Sequence, residues 1–230
     1  PFISIKGTAK MHAIFLGSIG TLAETSTLQL VSYNQAFSEA GLSWRWSKED
    51  YQLMLKKAGG QNRIQHFSLL EEIEVDVAAL HSRKSEIFQQ LLAVKPIDAR
   101  PGVRNTIELA SKHGVKLGLV TTTSWDNVSA ILRALDMSPS IFDVVTTSDT
   151  IARAKPAPDA YLAALDYLQL DQENVVAVED NPDGARAAQS AGLECVGLIG
   201  EMHDPADFSG LSTRQTSLDL TKYLVLQAAL

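Results

Sequence analysis

The sequence predicts an α/β fold in which a parallel sheet forms the core and a helical segment is inserted after the first strand. From residue 103 onward, short apolar runs alternate with amphipathic stretches, which is typical of parallel strands covered by helices on both faces. A similar apolar run lies far away, at residues 12–16. Between them, residues 26–94 have helical periodicity and almost no strand signal. Two separated parts of the chain are therefore expected to build one sheet.

The apolar runs and their neighbours define the elements of this core. Each short run is rich in Val, Leu, Ile or Phe, and each helical stretch has apolar residues three or four positions apart. This order of elements predicts a Rossmann-like sheet, with strands at 12–16, 115–120, 142–145, 175–178 and 195–198 and helices at 103–113, 127–135, 159–168 and 183–191.

The inserted segment is predicted to be a helical cap. Gly41 ends a helix over residues 26–40, and Ser47 begins the next one as an N-cap followed by acidic residues. The turn at 56–60 breaks that helix, and helical periodicity resumes over 64–70 and 75–92. A proline-rich connector follows, since each proline disfavours helix at the preceding residue. We therefore assign residues 11–25 and 98–230 to the core, residues 26–97 to the cap, and residues 1–10, before Met11, to a tag or processed tail.

Composition excludes several classes of partner. The 230 residues carry a formal net charge of −7 and no basic run, whereas phosphate backbones and anionic membranes are bound by clustered Lys and Arg. No apolar run is long enough to span a bilayer. Cys195 is the only cysteine, so no intrachain disulfide forms. We expect a soluble protein of a reducing compartment, cytoplasm or organelle stroma, that binds neither nucleic acid nor membrane.

Polar residues follow three of the predicted strands, and ligands of parallel sheets bind beyond these strand ends. Thr121 and Thr122 follow the second strand, with hydroxyl groups suited to a phosphate; alternatively, they only cap the next helix. Lys155 lies between a strand-end loop and a helix and could neutralise an anion, or be a solvated loop lysine. Glu179 and Asp180 end a buried strand and are oxygen ligands of the kind Mg²⁺ prefers, although Asp180 or Asn181 could instead be a helix N-cap.

Together these loops resemble motifs two, three and four of the haloacid dehalogenase (HAD) phosphatase superfamily. The string KPAPDAY contains Lys155, and the string VAVEDNPDGARAA contains Glu179 and Asp180. Both are close to the motif sequences of the family. The resemblance extends over nearly the whole chain from Met11. It implies a phosphate-binding role for Thr121 and Lys155 and a Mg²⁺-binding role for the two carboxylates.

The first motif of this family reads Asp-x-Asp-Gly-Thr-Leu, and here it departs from the pattern. The frame Gly20-Thr21-Leu22 places the two aspartate positions on Gly17 and Ile19. In the family the first aspartate is the nucleophile and the second the general acid/base, and neither glycine nor isoleucine performs these roles. Ser18 is a poor substitute, because alternation along the turn directs it away from both positions and no histidine near it in sequence would activate it.

Two further strings resemble the CbbY-type sugar-phosphate phosphatases, to which β-phosphoglucomutases are related. They are GTLAET, which contains Glu24, and KAGGQNRI, which contains Lys57 and Arg63. The resemblance implies that these three residues face a substrate between cap and core, with Arg63 able to hold a second phosphate. The alternative for Arg63 is a solvated position on the helix surface.

The missing aspartates leave two functions open. One is a catalytically impaired homologue that retains a cleft for a small phosphorylated metabolite, with weak or absent Mg²⁺ binding. The other is an active Mg²⁺-dependent sugar-phosphate phosphatase or phosphoglucomutase-like enzyme. Fold alone does not separate these functions, and the sequence leaves the oligomeric state and the identity of the sugar phosphate open.

Overall fold

The computed structural model describes residues 11–225, so the assignment of residues 1–10 as a tag or processed tail lies outside the described range. Within it, six strands form one parallel sheet in the order β3-β2-β1-β4-β5-β6. The two central strands are buried along their whole length, which explains their uninterrupted apolar sequences. The strands are β1 (Ala13–Leu16), β2 (Lys116–Val120), β3 (Val144–Thr146), β4 (Val175–Glu179), β5 (Glu194–Leu198) and β6 (Thr213–Gln215).

Helices surround this sheet, and those of the core begin and end close to the predicted residues. One of them, over residues 103–113, lies between Gly102 and Gly114, whose φ angles of +85° and +66° favour glycine. The helices in chain order are α1 (Ile19–Leu22), α2 (Ser26–Glu39), α3 (Lys48–Met54), α4 (Gly60–Glu71), α5 (Val77–Val94), α6 (Val103–His113), α7 (Trp125–Ala134), α8 (Asp159–Leu168), α9 (Pro182–Ser190) and α10 (Thr221–Val225).

Helices α2 to α5 form the cap, and they have an apolar cluster of their own. Its centre is aromatic: the ring of Trp46 lies 4.7 Å from that of Tyr33 and 4.9 Å from that of Phe37, centroid to centroid. Met202, from the core loop after β5, also packs in this cluster. The cap is therefore in apolar contact with the core.

The structure differs from the sequence prediction in a few elements. Helix α4 begins at Gly60 rather than Ile64, and β3 begins at Val144 because a one-turn 3₁₀ helix, Pro139–Ile141, precedes it. The sequence did not predict helix α1, which lies where a turn was expected, nor strand β6 and helix α10. Among residues 11–225, no helix has both the length and the apolarity needed to cross a membrane.

Candidate functional site

The ends of β1, β2 and β4 meet at one edge of the sheet. The backbone N–H of Gly17, directly after β1, donates to the carbonyl of Val178 on β4 at 2.8 Å. The ammonium of Lys155 donates to the carbonyl of Val120 at the end of β2, at 2.7 Å, and to the carbonyl of Gly17. The predicted residues of motifs one, two, three and four are therefore brought together.

Lys155 is buried, with 3% of its side chain exposed, so its interpretation as a solvated loop lysine is wrong. Besides the two carbonyls, its ammonium donates to Glu179 Oε1 at 2.5 Å. An ammonium has three N–H donors, and all three are used within the protein. Lys155 therefore contributes positive charge to this site but has no donor left for a ligand.

Glu179 and Tyr161 lie against Gly17 on the side where a side chain would extend. A Cβ on Gly17 would overlap Glu179 Oε1 and would stand 2.5 Å from the hydroxyl oxygen of Tyr161. The Tyr161 hydroxyl donates to Glu179 Oε1 at 2.6 Å. The space that a larger residue at position 17 would need is therefore filled by a hydrogen-bonded carboxylate and phenol.

Burial governs the electrostatics of this group. It raises the pKa of Glu179, an effect that the neighbouring charge of Lys155 opposes. Burial also raises the pKa of Tyr161, and the carboxylate of Glu179 adds to that effect. The second oxygen of Glu179, Oε2, is buried without a hydrogen-bond partner among the described residues. Lys155 and Glu179 thus form a buried ion pair with one unsatisfied carboxylate oxygen.

Ser18 and Asp180 form the neighbouring part of the site. Ser18 Oγ donates to Asp180 Oδ1 at 2.7 Å and accepts the backbone N–H groups of Gly20, at 2.9 Å, and Thr21, at 3.3 Å. Ser18 has an extended backbone and is the N-cap of α1, and its side chain contacts Asp180, a contact that the sequence did not predict. The Ser18 hydroxyl therefore links the first loop to the end of β4.

The threonines after β2 hold the strand-end loop. Thr121 is buried, and its hydroxyl oxygen accepts the backbone N–H of Thr123 at 3.1 Å. Its backbone carbonyl accepts the hydroxyl of Thr146 at 3.2 Å. Thr122 is partly exposed. Thr121 therefore holds the loop through its hydrogen bonds, and the side chain of Thr122 is the more accessible of the two.

On the cap, Arg63 is fixed by the loop that precedes its helix. Its Nε donates to the carbonyl of Met54 at 3.1 Å, its Nη2 to the carbonyl of Lys57 at 2.8 Å, and its guanidinium carbon lies 5.8 Å from the ring centroid of Tyr51. The side chain of Lys57 is exposed. Arg63 is therefore held in place but keeps unused N–H donors, so its interpretation as a merely solvated side chain is not supported.

The glycine pair before Arg63 has a steric reason. Gly59 has a φ of +100°. A Cβ on Gly60 would overlap His81 Nε2 and stand 2.6 Å from the Tyr33 hydroxyl oxygen. The two glycines thus allow the loop to pass close to α5 and α2.

The cap loop contacts the core at two places. The backbone N–H of Ala58 donates to Asp183 Oδ2 at 2.5 Å, and the ammonium of Lys56 lies 3.0 Å from Asp207 Oδ1. Glu24, on the core side, accepts the backbone N–H groups of Ser26 and Glu201, each at 3.1 Å. Glu24 therefore orders the loops around the cleft, whatever else it contacts.

Sequence analysis missed two cap residues close to Arg63. Lys84 is buried, and its ammonium bonds to Gln29 Oε1 and lies 4.7 Å from the ring centroid of Tyr33. Burial, reinforced by the charge of Arg63, lowers the pKa of Lys84 to about 7, and burial together with Lys84 lowers that of His81 to about 4. The available signal was the spacing, because Lys84 lies four residues after Leu80 on the buried face of α5.

Comparisons with known proteins identify the family and the fold. Residues 20–198 match the family described as haloacid dehalogenase-like hydrolase. Protein CbbY of Cereibacter sphaeroides is 38% identical over 205 residues, which cover 87% of this chain and 89% of that protein. The crystal structure of CbbY from Rhodobacter sphaeroides with phosphate superposes with a TM-score of 0.85 at 35% identity, over 94% of this chain and 99% of that one. A mutant of that CbbY with xylulose-(1,5)bisphosphate gives a TM-score of 0.82 at 37% identity, over 90% and 94%.

Proposed function

Because the chain belongs to the haloacid dehalogenase-like hydrolase family, we propose that it is a CbbY-like protein that binds a sugar phosphate between core and cap but hydrolyses it at no more than trace rates. The observation that carries this proposal is the environment of position 17. In that place the chain has a glycine, and the surrounding space is taken by Glu179 and Tyr161.

The loss of hydrolysis follows from the frame of the first motif. With Gly20-Thr21-Leu22 aligned to the family's Gly-Thr-Leu, Gly17 stands where the nucleophile belongs and has no atom to attack phosphorus. Ile19, at the acid/base position, is buried and apolar. General acid/base catalysis typically contributes roughly 10²- to 10⁴-fold in rate. Both deficits act on the same reaction, so their effects combine.

The carboxylates that remain fit a magnesium ion poorly. Mg²⁺ requires near-octahedral oxygen ligation, and within residues 11–225 no three acidic, His or Cys side chains form a group that could hold a metal. Glu179 already binds the ammonium of Lys155, and one oxygen of Asp180 accepts from Ser18. We therefore propose that Mg²⁺ binding is weak or absent and that the Lys155 ammonium is the counter-charge of Glu179 at the strand ends.

The cap supports the binding half of the proposal. Neither Arg63 nor Lys84 forms an ion pair with any carboxylate among residues 11–225. The Arg63 guanidinium thus has no counter-charge among these residues, which favours an anionic ligand, and a guanidinium binds phosphate in a bidentate manner. CbbY of Rhodobacter sphaeroides has been crystallised with phosphate and, as a mutant, with xylulose-(1,5)bisphosphate. A phosphorylated sugar is therefore the ligand class that we propose here.

A paired assay tests this function. Phosphate release would be measured on a panel of sugar mono- and bisphosphates with Mg²⁺, using CbbY of Rhodobacter sphaeroides as the positive control, and binding would be titrated calorimetrically in parallel. We expect saturable binding of at least one sugar phosphate and no release above the background without protein. Substitution Arg63→Met should weaken that binding about tenfold, since a charged hydrogen bond is lost. Turnover comparable to that of the positive control, or no binding of any panel member, would refute the proposal.

A further inference from the structure

His203, in the loop after β5, has two buried ring nitrogens that bond to nothing in the described part of the chain. Buried polar atoms in native proteins nearly always have a hydrogen-bond partner. The residue is fixed in place, because its backbone N–H donates to the Gly200 carbonyl at 3.1 Å and its ring meets that of Phe208 edge-on at 6.0 Å. A fixed ring with two unsatisfied nitrogens indicates that its partner is not part of these residues.

The position of His203 is at the boundary of cap and core. Its neighbour Met202 packs among the cap aromatics. A cavity of about 360 Å³ separates α3 from the loop after β5, and His203 lines it together with Gln52 and Lys56 of the cap. Three carboxylates, those of Glu49, Asp204 and Asp207, line it as well. The imidazole is therefore adjacent to space in which a small molecule can lie.

Glu24 approaches the same point from the core side. A Cβ on Gly200 would stand 3.2 Å from His203 Nδ1 and would overlap Glu24 Oε2. The absence of a side chain at Gly200 thus allows the imidazole and the carboxylate to lie close together. Glu24 is also one of the residues for which the sequence predicts a substrate contact.

The charge state of His203 follows from its surroundings. Burial lowers its pKa, and the nearby carboxylates of Asp180 and Glu24 oppose this effect while the guanidinium groups of Arg100 and Arg63 reinforce it. The ring is therefore neutral near pH 7. A neutral imidazole has one N–H donor and one acceptor nitrogen.

We propose that His203 is a specificity-determining residue that hydrogen-bonds a hydroxyl group of the sugar portion of the ligand. This inference rests on the proposed function, sugar-phosphate binding. A hydroxyl both donates and accepts, as the neutral ring does, and it carries no charge to be repelled by Glu24 and Asp180. A phosphate dianion only accepts hydrogen bonds, so the unprotonated ring nitrogen and both carboxylates disfavour it.

The test is a comparison of two probes on three variants. Xylulose-(1,5)bisphosphate and inorganic phosphate would be titrated calorimetrically against the parent, His203→Phe and His203→Gln, with His66→Phe as a matched control because His66 is exposed on α4. We expect His203→Phe to weaken xylulose-(1,5)bisphosphate about tenfold and inorganic phosphate less than about twofold. The glutamine variant keeps a donor and an acceptor and should retain most of the affinity.

Imidazole NMR of the parent keeps the proposal testable if a variant fails to fold. The ring resonances of His203 should shift with xylulose-(1,5)bisphosphate and stay unchanged with inorganic phosphate. Equal weakening of both probes, or unchanged ring resonances with the bisphosphate, would overturn the role of His203. If the parent binds the bisphosphate and His203→Phe binds it equally well, only this inference is wrong. If the parent binds neither probe, the proposed function is wrong and this inference with it.

Discussion

At the residue scale, the ion pair of Lys155 and Glu179 determines what the strand ends can do. Both side chains are almost completely removed from water, where an isolated charge is costly and a paired one is tolerated. The pair fills the site beside Gly17 and is neutral overall, because the Glu179 carboxylate balances the Lys155 ammonium. The site is consequently organised around a buried ion pair.

Replacing one partner of this ion pair should therefore lower the free energy of unfolding more than replacing both. We expect Lys155→Met to lower the free energy of unfolding by about 3 kcal/mol, because it leaves the Glu179 carboxylate buried without its counter-charge. The double variant Lys155→Met/Glu179→Gln should recover about half of that loss. Urea denaturation at pH 7 measures both. A double variant that is as unstable as the sum of its single variants would contradict the coupling.

Lys84 gives a prediction about pH. Its pKa falls from an ordinary value of 10.5 to about 7 in the folded protein, so between these values the unfolded chain binds more protons and stability rises with pH. Relative to Lys84→Met, the free energy of unfolding of the parent should rise by about 3.5 kcal/mol from pH 7 to pH 10 and change little below pH 7. Parallel pH profiles of the two proteins in urea denaturation would show that Lys84 does not titrate in this range.

The sequence predicted which residues meet at the strand ends, but it did not predict which groups accept their hydrogen bonds. The motif spacing placed Lys155 and Glu179 at neighbouring strand ends. The burial of Lys155 depends on the carbonyls of Gly17 and Val120, which are 138 and 35 residues away in the chain. Contacts of this range depend on the folded arrangement, so periodicity and local composition do not reveal them. The same reason explains why Lys84 and His203 were missed.

At the scale of elements, the sequence predicted the bounds of a helix correctly where strong helical periodicity was flanked by glycine or proline. The bounds of α6 were confirmed because Gly102 and Gly114 flank an amphipathic stretch, and those of α8 because two prolines precede it. Strand β6 has three residues, none of them buried, and therefore no apolar alternation to recognise. Short edge elements of this kind depend on pairing with a neighbour rather than on their own sequence.

Helix α4 supplies the prediction at this scale. An alanine at Gly60 would add a methyl group against His81 and the Tyr33 hydroxyl, and overpacking of this kind typically costs about 1–3 kcal/mol. Thermal or urea unfolding of Gly60→Ala should show that loss although alanine favours helix. The matched control is Gly210→Ala, where a Cβ meets no atom within 4 Å and the change should stay within about 0.5 kcal/mol. Equal effects of the two substitutions would contradict the steric argument.

At the scale of the whole molecule, the cap is held on the core by polar contacts as well as by packing. Gln89 of α5 donates to Asn127 of α7 at 3.0 Å, and Lys56 of the cap pairs with Asp207 of the core. Exposed ion pairs contribute little stability, typically below about 1 kcal/mol. The apolar contacts, with Phe88 and Leu92 of α5 in the main core cluster, therefore contribute most to fixing the cap above the strand ends.

The central claim is that this arrangement binds a phosphorylated sugar without hydrolysing it, and ³¹P NMR tests both halves in one sample. Xylulose-(1,5)bisphosphate would be titrated with the chain in the presence of Mg²⁺, and the spectra followed over hours. We predict saturable shifts or broadening of the ligand resonances and no inorganic phosphate signal beyond that of a protein-free sample. A steadily growing inorganic phosphate signal, or ligand resonances that never change, would contradict the account.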